Sequence, residues 1–240
     1  MKVTLINHTQ DAAELLLFTK SVRLGADPAR FEEIRSWPEE KKLAELRYMA
    51  DTIPSSWEFV SYTFCIEGVS RAFTHQFVRN RHGSYAQQSL RVVSKGNLQG
   101  EFVMPDRLND GQRGMVQNAL QMIERQVGML QESGAATEDI RSILPTNIAT
   151  NIVAKFNLRT LSELAKSRLG GRTQGEYVHV MNAMVDAVLA VHPWADVFLT
   201  PQGRDYFADI EAFAEREYGG DLLKKGELLK TVDKMRKEAK

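Results

Sequence analysis

The order of apolar and polar residues predicts a strand and then helices in the N-terminal quarter of the chain. "KVTLINHT" has the composition of a first strand, and the following "DAAELLLFTKSVRL" has acids in its first turn and bases in its last, which is typical of a helix. Thr9 is placed to cap that helix. In "PEEKKLAELRYMADTI", Pro38 marks a second helix N-terminus, and Leu43, Leu46 and Met49 are spaced on one face.

The next part of the chain predicts a strand, a short helix and a loop. Residues 57–66, "WEFVSYTFCI", are rich in aromatic and β-branched side chains and predict a strand. "SRAFTHQFVRNR" predicts a helix capped by Ser70, with Ala72, Phe73 and Phe77 on its apolar side. "HGSYAQQS" has no period and is predicted to be a loop, and "RVVS" and "EFVMP" could be short strands.

Long helices dominate the second half. "GQRGMVQNALQMIERQVGMLQESG" predicts the longest of them, ended by Gly134. Its apolar stripe consists of Met115, Leu120, Ile123, Val127 and Leu130. "TEDIRSIL" is a short helix stopped by Pro145, and "IATNIVAKFN" could be a strand or a buried helix. "RTLSELAKSRL" and "TQGEYVHVMNAMVDAVLAV" are predicted helices, and residues 220–240 predict a peripheral charged helix. The pattern indicates the α+β class, a single mixed domain over residues 1–240 with long helices around a central antiparallel or mixed sheet.

Composition narrows the range of functions. The 240 residues, 43% of them hydrophobic, are enough for a sizeable core. The formal net charge is zero, which argues against nucleic acid or an acidic membrane as a partner. Cys65 is the only cysteine, so an intrachain disulfide and a Cys-x-x-Cys metal site are excluded. We expect a cytoplasmic protein, because the sequence shows no signal peptide and no apolar stretch long enough to span a bilayer.

Cations are concentrated in "RNRHGSYAQQSLRVV", residues 79–93. Gln76 and Arg79 are three positions apart and share one side of the predicted helix, Arg81 follows its end, and Arg91 closes the loop. Guanidinium groups and serine hydroxyls together suit a phosphate. Surface salt bridges are the alternative interpretation, weakened because the sequence has no acid between Glu67 and Glu101.

A second group of arginines lies later in the chain. Arg159 follows Asn157, Arg168 and Arg172 are four positions apart, and Arg141 lies in the short helix before Pro145. A solvated basic face is again the alternative. The sequence contains no Gly-x-Ser-x-Gly elbow, no His-Glu-x-x-His pair and no P-loop. Many donors without a nucleophile–base pair indicate that a bound cofactor performs the chemistry.

At these residues the chain resembles the flavin-dependent thymidylate synthases. "GVSRAFTHQFVRNRHGSYAQQSLR" is similar to the family's signature, an Arg-His-Arg triplet followed by a serine and an arginine, read here as Arg79, Asn80, Arg81, Ser89 and Arg91. "IRSILPTN", "FNLRTLSELAKSRLGGRTQGEY" and the glutamate of "WEFVSYTF" resemble three further family segments in the right order. The resemblance covers roughly residues 52–180.

The resemblance implies a homotetramer with active sites shared between subunits and a thymidylate synthase-complementing-like fold. It implies FAD as cofactor, dUMP as the pyrimidine nucleotide, and NADPH and methylenetetrahydrofolate as co-substrates. Two residues would be catalytic, namely Arg168 and Ser89. The nucleotide would be held by Gln76, Arg79, Gln87, Gln88, Ser89, Leu90, Arg91, Arg141 and Arg168. FAD would be held by Glu58, Arg79, Asn80, Arg81, Ser84, Asn157, Arg159 and Arg172.

The sequence departs from the family pattern around the flavin. Asn80 replaces the triplet's histidine, Ile53 and Phe59 stand where histidines are usual, and Val92 replaces a tyrosine. Asparagine cannot take a charge, so a proton role at position 80 is lost. Hydroxymethylation of dUMP, or modification of UMP or dCMP, is therefore an alternative to dTMP synthesis. A non-enzymatic protein that binds a nucleotide or single-stranded RNA is a more distant alternative, disfavoured by the zero net charge.

Overall fold

The computed structural model describes residues 1–25, 27–90, 97–169, 175–200, 210, 214, 218 and 222–238. The chain divides into two units, Met1–Thr200 and Pro201–Lys240. The described part of the second unit includes a helix over Leu222–Glu238, which confirms the predicted C-terminal helix. A single domain, with that helix at its periphery, stays a prediction.

A four-stranded antiparallel sheet forms the centre of the first unit, in the order β1-β2-β4-β3. Its strands are β1 Lys2–His8, β2 Ser61–Ser70, β3 Ser84–Gln87 and β4 Ala149–Asn157. Burial alternates along β2, where Tyr62, Phe64 and Ile66 are inaccessible to solvent and their neighbours are partly exposed. The predicted α+β class and central antiparallel sheet are thereby confirmed, and the ambiguous "IATNIVAKFN" is a strand.

Among the described residues, helices α1 to α9 lie in the first unit and α10 lies in the second. Their bounds are α1 Ala12–Ser21, α2 Ala29–Arg35, α3 Glu39–Thr52, α4 Arg71–Phe77, α5 Asp110–Glu132, α6 Thr137–Ile140, α7 Leu158–Arg168, α8 Gly175–Val191, α9 Asp196–Leu199 and α10 Leu222–Glu238. Four short 3₁₀ turns are described at Val22–Leu24, Pro54–Phe59, Arg141–Ile143 and Pro193–Ala195. In the described part of the chain, no helix has both the length and the apolar composition that crossing a bilayer needs.

Side chains at the helix ends fix several of these boundaries. Ser70 caps α4 as predicted, its Oγ accepting from the Phe73 N–H at 2.9 Å. Gly134, with φ of +80°, lies just beyond α5, the left-handed conformation expected after a helix C-terminus. The prediction that Thr9 caps α1 is wrong: its Oγ1 accepts from the Ser61 N–H at 2.9 Å and so ties the end of β1 to β2.

Two predictions of local structure were wrong because tertiary pairing overrides the local pattern. The predicted loop "HGSYAQQS" contains β3, which forms because Ser84–Gln87 pairs with β4. The strand predicted from residue 57 begins at Ser61, because Pro54–Phe59 is a 3₁₀ turn whose Trp57 Nε1 donates to the Met49 carbonyl at 3.2 Å. "EFVMP" contributes a single bridge between Phe102 and Ile148, and "RVVS" lies outside the described residues.

The apolar side chains form two clusters. The larger packs the sheet against α1, α3, α4, α7 and α8. A smaller one lies under α5 and consists of Leu90, Leu98, Val127, Ile140 and Ile148. Two predicted core positions are exposed, namely Met115 and Leu43. In place of Leu43 the α3 side chain of Lys42 is buried, and its ammonium group is paired with Glu14 at 2.7 Å.

A histidine is partly buried at the end of α8. His192 Nδ1 lies 3.1 Å from the Tyr62 hydroxyl, and its ring stacks on Trp194 and contacts the ring of His8 edge-on. Burial, together with the neighbouring His8, lowers the pKa of His192 to about 4 from its usual value near 6.5. The fold therefore holds this imidazole neutral.

We predict that this histidine makes the protein less stable in acid. The unfolded chain binds a proton at His192 near pH 6.5 and the folded chain only near pH 4, so stability is complete above about pH 6.5 and falls towards about pH 4. The loss is at most about 3 kcal/mol, measured by urea unfolding at a series of pH values. His192→Gln should flatten that slope, and His75→Gln, at an exposed histidine, should leave it unchanged. Equal slopes in wild type and His192→Gln would contradict the prediction.

Candidate functional site

A cavity of about 350 Å³ opens where the C-terminal ends of α4 and α7 meet the start of α8. Its lining residues are Gln76, Arg79, Asn80, Glu163, Leu164, Ser167, Arg168 and Tyr177. The two segments that the sequence analysis singled out, residues 76–81 and 157–168, thus contribute side chains to one concave site. A helix C-terminus also favours nearby cations, which suits both arginines.

Arg168 is the most unusual side chain in this cavity. Its guanidinium carbon lies 4.8 Å from the centre of the Tyr177 ring. The Nε atom is buried and has no hydrogen-bond partner in the structure as described. Such a donor costs about 1–3 kcal/mol to hide from water. The cavity is therefore lined by a cation whose Nε–H donates to no described group.

Tyr177 fixes the position of that guanidinium. The ring is 1% exposed and packs edge-on against Phe73 and Phe77 of α4. Burial raises the pKa of Tyr177, and the charge of Arg168 opposes part of that rise. The tyrosine is therefore neutral at physiological pH and provides a rigid aromatic surface beneath Arg168. Sequence reasoning had placed it only in an apolar helix.

A partly buried carboxylate contact joins α8 to α4. Glu176 accepts from the Ser70 backbone N–H at 2.7 Å and from the Ser70 hydroxyl at 2.6 Å. Since Ser70 also caps α4, one serine connects α4 and α8, two of the helices that line the cavity. These charge-assisted hydrogen bonds are stronger than neutral ones and hold the cavity walls in register.

The signature triplet lies in a tight turn after α4. Asn80 Oδ1 accepts from the His82 N–H at 3.1 Å, and the Asn80 carbonyl accepts from the Tyr85 hydroxyl at 2.8 Å. The asparagine oxygen therefore shapes the turn between the two arginines. Arg81 and Ser84 are exposed beyond it.

The residues after the triplet run along the edge of the sheet. Gln87 Nε2 donates to Thr74 Oγ1 at 2.8 Å, and the Gln88 N–H donates to the Asn151 carbonyl at 2.9 Å. Ser89 is exposed, whereas the side chain of Leu90 is 8% exposed and packs in the smaller core. Leu90 could therefore meet a nucleotide only through its backbone. Arg91 lies outside the described residues.

A second pair of arginines is found beside this edge. Arg141 is exposed, with its Nε donating to the Glu138 carbonyl at 3.0 Å. Arg71, which the sequence analysis did not select, donates to the Gln88 carbonyl at 3.4 Å. Burial and the charge of Arg141 both lower the pKa of Arg71. The signal that could have identified Arg71 is its place in the same stretch without acids.

The predicted flavin residues Glu58 and Arg159 contact each other. Arg159 Nη1 lies 2.8 Å from Glu58 Oε1, and its Nε lies 3.2 Å from Glu163 Oε1. These hydrogen bonds, first that to Glu163 and then that to Glu58, raise the pKa of Arg159. A phosphate would therefore share this guanidinium with two carboxylates. Asn157 caps α7, its Oδ1 accepting from the Thr160 N–H at 2.8 Å, and Arg172 lies outside the described residues.

Comparison with known proteins gives a consistent result. Residues 4–194 match the family model described as thymidylate synthase complementing protein. The chain is 32% identical over 193 residues to the flavin-dependent thymidylate synthase of Pyrococcus furiosus, an alignment that covers 78% of each chain. It is 30% identical over 200 residues to the enzyme of the same name from Geobacter sulfurreducens, covering 80% of this chain and 84% of that relative.

Solved structures show the same fold. The flavin-dependent thymidylate synthase of Helicobacter pylori, solved with FAD and dUMP, superposes with a TM-score of 0.64 at 19% identity, covering 82% of this chain and 98% of that one. A UMP/dUMP methylase from Streptomyces cacaoi, bound with 5-Br dUMP, gives a TM-score of 0.67 at 17% identity over 82% and 93% of the two chains. From the family match and the sequence identity to these relatives, the chain belongs to the thymidylate synthase complementing protein family.

Proposed function

We propose that this chain is a flavin-dependent thymidylate synthase. In this proposal it transfers the one-carbon unit of methylenetetrahydrofolate to C5 of dUMP with reduction to dTMP, using FAD as cofactor and NADPH as reductant. The observation that carries the proposal is the cavity in which Arg79 and Arg168 lie together, with the buried Arg168 Nε lacking an acceptor. Family membership and the relatives' names support the same activity.

The nucleotide is assigned to this cavity and the adjacent sheet edge. A guanidinium has only donors, so Arg168 beside a pyrimidine favours a ring carbonyl over an amino group, and hence uracil over cytosine. The same charge stabilises the negative charge that develops on the ring when C5 attacks the one-carbon unit. The phosphate is assigned to Arg79, Arg91 and Arg141, and further polar contacts to Gln76, Gln87 and Ser89.

FAD is assigned to the turn after α4 and the start of α7. The donors present fit its pyrophosphate, because Arg79 and Arg81 lie in that turn, Ser84 follows at the start of β3, and all three are exposed. Arg159 and Glu58 would contribute a second, charge-compensated group. When bound, FAD supplies the hydride that reduces the transferred carbon. The chain's own residues bind and orient the flavin and the nucleotide and stabilise charge on the pyrimidine.

The proposal also covers the oligomeric state, the folate partner and the location in the cell. We infer a homotetramer with shared active sites, a folate partner and a cytoplasmic location. The supports are the family membership and the nature of the proposed substrates. The folate and NADPH are not assigned to particular residues.

The first prediction concerns the product. Protein incubated with FAD, NADPH, methylenetetrahydrofolate and dUMP should give dTMP, identified by mass spectrometry as dUMP plus one CH₂ group, and the purified protein should show or take up the visible absorption of a flavin. UMP and dCMP in parallel reactions test the alternative substrates. A product heavier by CH₂O would show hydroxymethylation instead. A protein that never takes up flavin would contradict the proposed function.

The second prediction concerns Arg168. Arg168→Ala should lower kcat/KM for dUMP by about a hundredfold, since removal of one donor to a developing negative charge typically costs about 3 kcal/mol. Arg168→Lys should recover only part of the loss, because lysine keeps the charge without the planar fork. Lys166→Ala, at an exposed cation of the same helix, is the matched control and should retain activity. Turnover of Arg168→Ala within about twofold of wild type would contradict the assignment.

A further inference from the structure

We propose that Arg71 is a phosphate-recognition residue of the nucleotide site and that it acts together with Arg141. The inference rests on the proposed function and deepens it, since it assigns a specificity-determining contact to a residue of the signature segment for which the resemblance implies no role. A guanidinium pair of this kind would select a nucleotide monophosphate over the corresponding nucleoside.

Backbone contacts bring Arg71 to the segment that follows Arg141. The Arg71 N–H donates to the Ile148 carbonyl at 3.1 Å, and the Ala72 N–H donates to the Thr146 carbonyl at 2.8 Å. Ile148 is fully buried in the smaller core, so this segment is well anchored. The first turn of α4 is therefore held against the loop that carries Arg141.

The side chain of Arg71 reaches the other side of the same site. Its Nη1 donates to the Gln88 carbonyl at 3.4 Å, and Gln88 is itself fixed by its N–H bond to Asn151 at 2.9 Å. The guanidinium consequently lies beside the residue that precedes Ser89, which the signature assigns to the nucleotide. One carbonyl contact occupies one of the five N–H donors of an arginine.

The charges of this pair are not balanced by nearby acids. Within the described ranges, carbonyl oxygens accept from Arg71 and Arg141, and no carboxylate forms an ion pair with either. Arg159, by contrast, is paired with two carboxylates. The backbone hydrogen bonds from Arg71 and Ala72 to the segment after Arg141 bring two like charges to one site, where their repulsion is unfavourable. Burial and then the charge of Arg141 lower the pKa of Arg71 accordingly. A dianion between them would remove that repulsion and supply acceptors to both.

A phosphate monoester fits this arrangement. It offers oxygens in several directions, whereas a carboxylate offers one plane, and its second ionisation near pH 6 gives the charge that two guanidinium groups favour. Ser89 adds an exposed hydroxyl at the same edge. The 5′-phosphate of dUMP is the group of that chemistry in the proposed reaction.

The test compares dUMP with deoxyuridine, the same ligand without phosphate, on the FAD-loaded protein. For Arg71→Gln we expect the KM for dUMP to rise about tenfold or more, with kcat within about threefold of wild type. The Kd for dUMP by calorimetry should rise in parallel, while the Kd for deoxyuridine stays unchanged. The ratio of the variant's Kd for dUMP to the wild-type Kd should also increase as the pH rises through about 6.

Two further variants make the result unambiguous. Arg71→Lys keeps the charge and should fall between wild type and Arg71→Gln, and it serves as the test variant if Arg71→Gln does not fold. Arg125→Gln, at an exposed arginine of α5, should leave both Kd values unchanged. An equal rise for dUMP and deoxyuridine, or no rise for either, would overturn the role of Arg71. Wild-type protein that binds neither dUMP nor UMP would instead overturn the proposed function.

Discussion

Arg168 lies against the ring of Tyr177, and no described group accepts a hydrogen bond from its buried Nε–H. An N–H hidden from water in this way destabilises the ligand-free protein by about 1–3 kcal/mol. The rigid packing of Tyr177 against α4 holds the guanidinium in place despite that cost. A pyrimidine carbonyl oxygen that reached this N–H would supply an acceptor, and that hydrogen bond would favour binding of the nucleotide.

The cationic side chains of the protein fall into two groups, those that contact a carboxylate and those that do not. Arg159 and Lys42 contact carboxylates, which satisfies their charge within the protein. Arg71, Arg141 and Arg168 contact carbonyl groups or an aromatic ring instead. For Arg71 the sequence already indicates this, since the stretch between Glu67 and Glu101 contains no acid. Beside the cavity that Arg168 lines, α4 and α8 are joined through Ser70 and Glu176.

The sequence predicted most of the elements because their local signals agree with the tertiary structure. Ser70 and Gly134 mark helix ends through their own backbone chemistry, and Leu46 and Met49 follow a helical period that the core confirms. The predictions failed where the deciding partner is distant in the chain. The strand β3 exists through its pairing with β4, and no local period indicates it.

The same limit applies to the candidate site. Signature arginines could be selected from the sequence because the motif names them, and Arg79 and Arg168 do line one cavity. The sequence marks Arg71 only as one cation of the stretch without acids and gives Tyr177 no role, since the importance of these residues comes from their contacts with Gln88 and Arg168. Only the folded arrangement distinguishes these two residues from an ordinary surface arginine and an ordinary core tyrosine.

The replacement of the signature histidine by Asn80 can be explained by the structure of the turn, without a change in the reaction. The amide oxygen of Asn80 accepts from the His82 N–H, an interaction that asparagine forms readily two residues ahead of itself. A histidine could accept there only through an unprotonated ring nitrogen, and protonation would add a third cation between Arg79 and Arg81. Asparagine makes this contact without a titratable group and leaves the charge of the site to its arginines. Protonation at position 80 therefore cannot alter the turn, and proton transfer during the proposed reaction must come from another group.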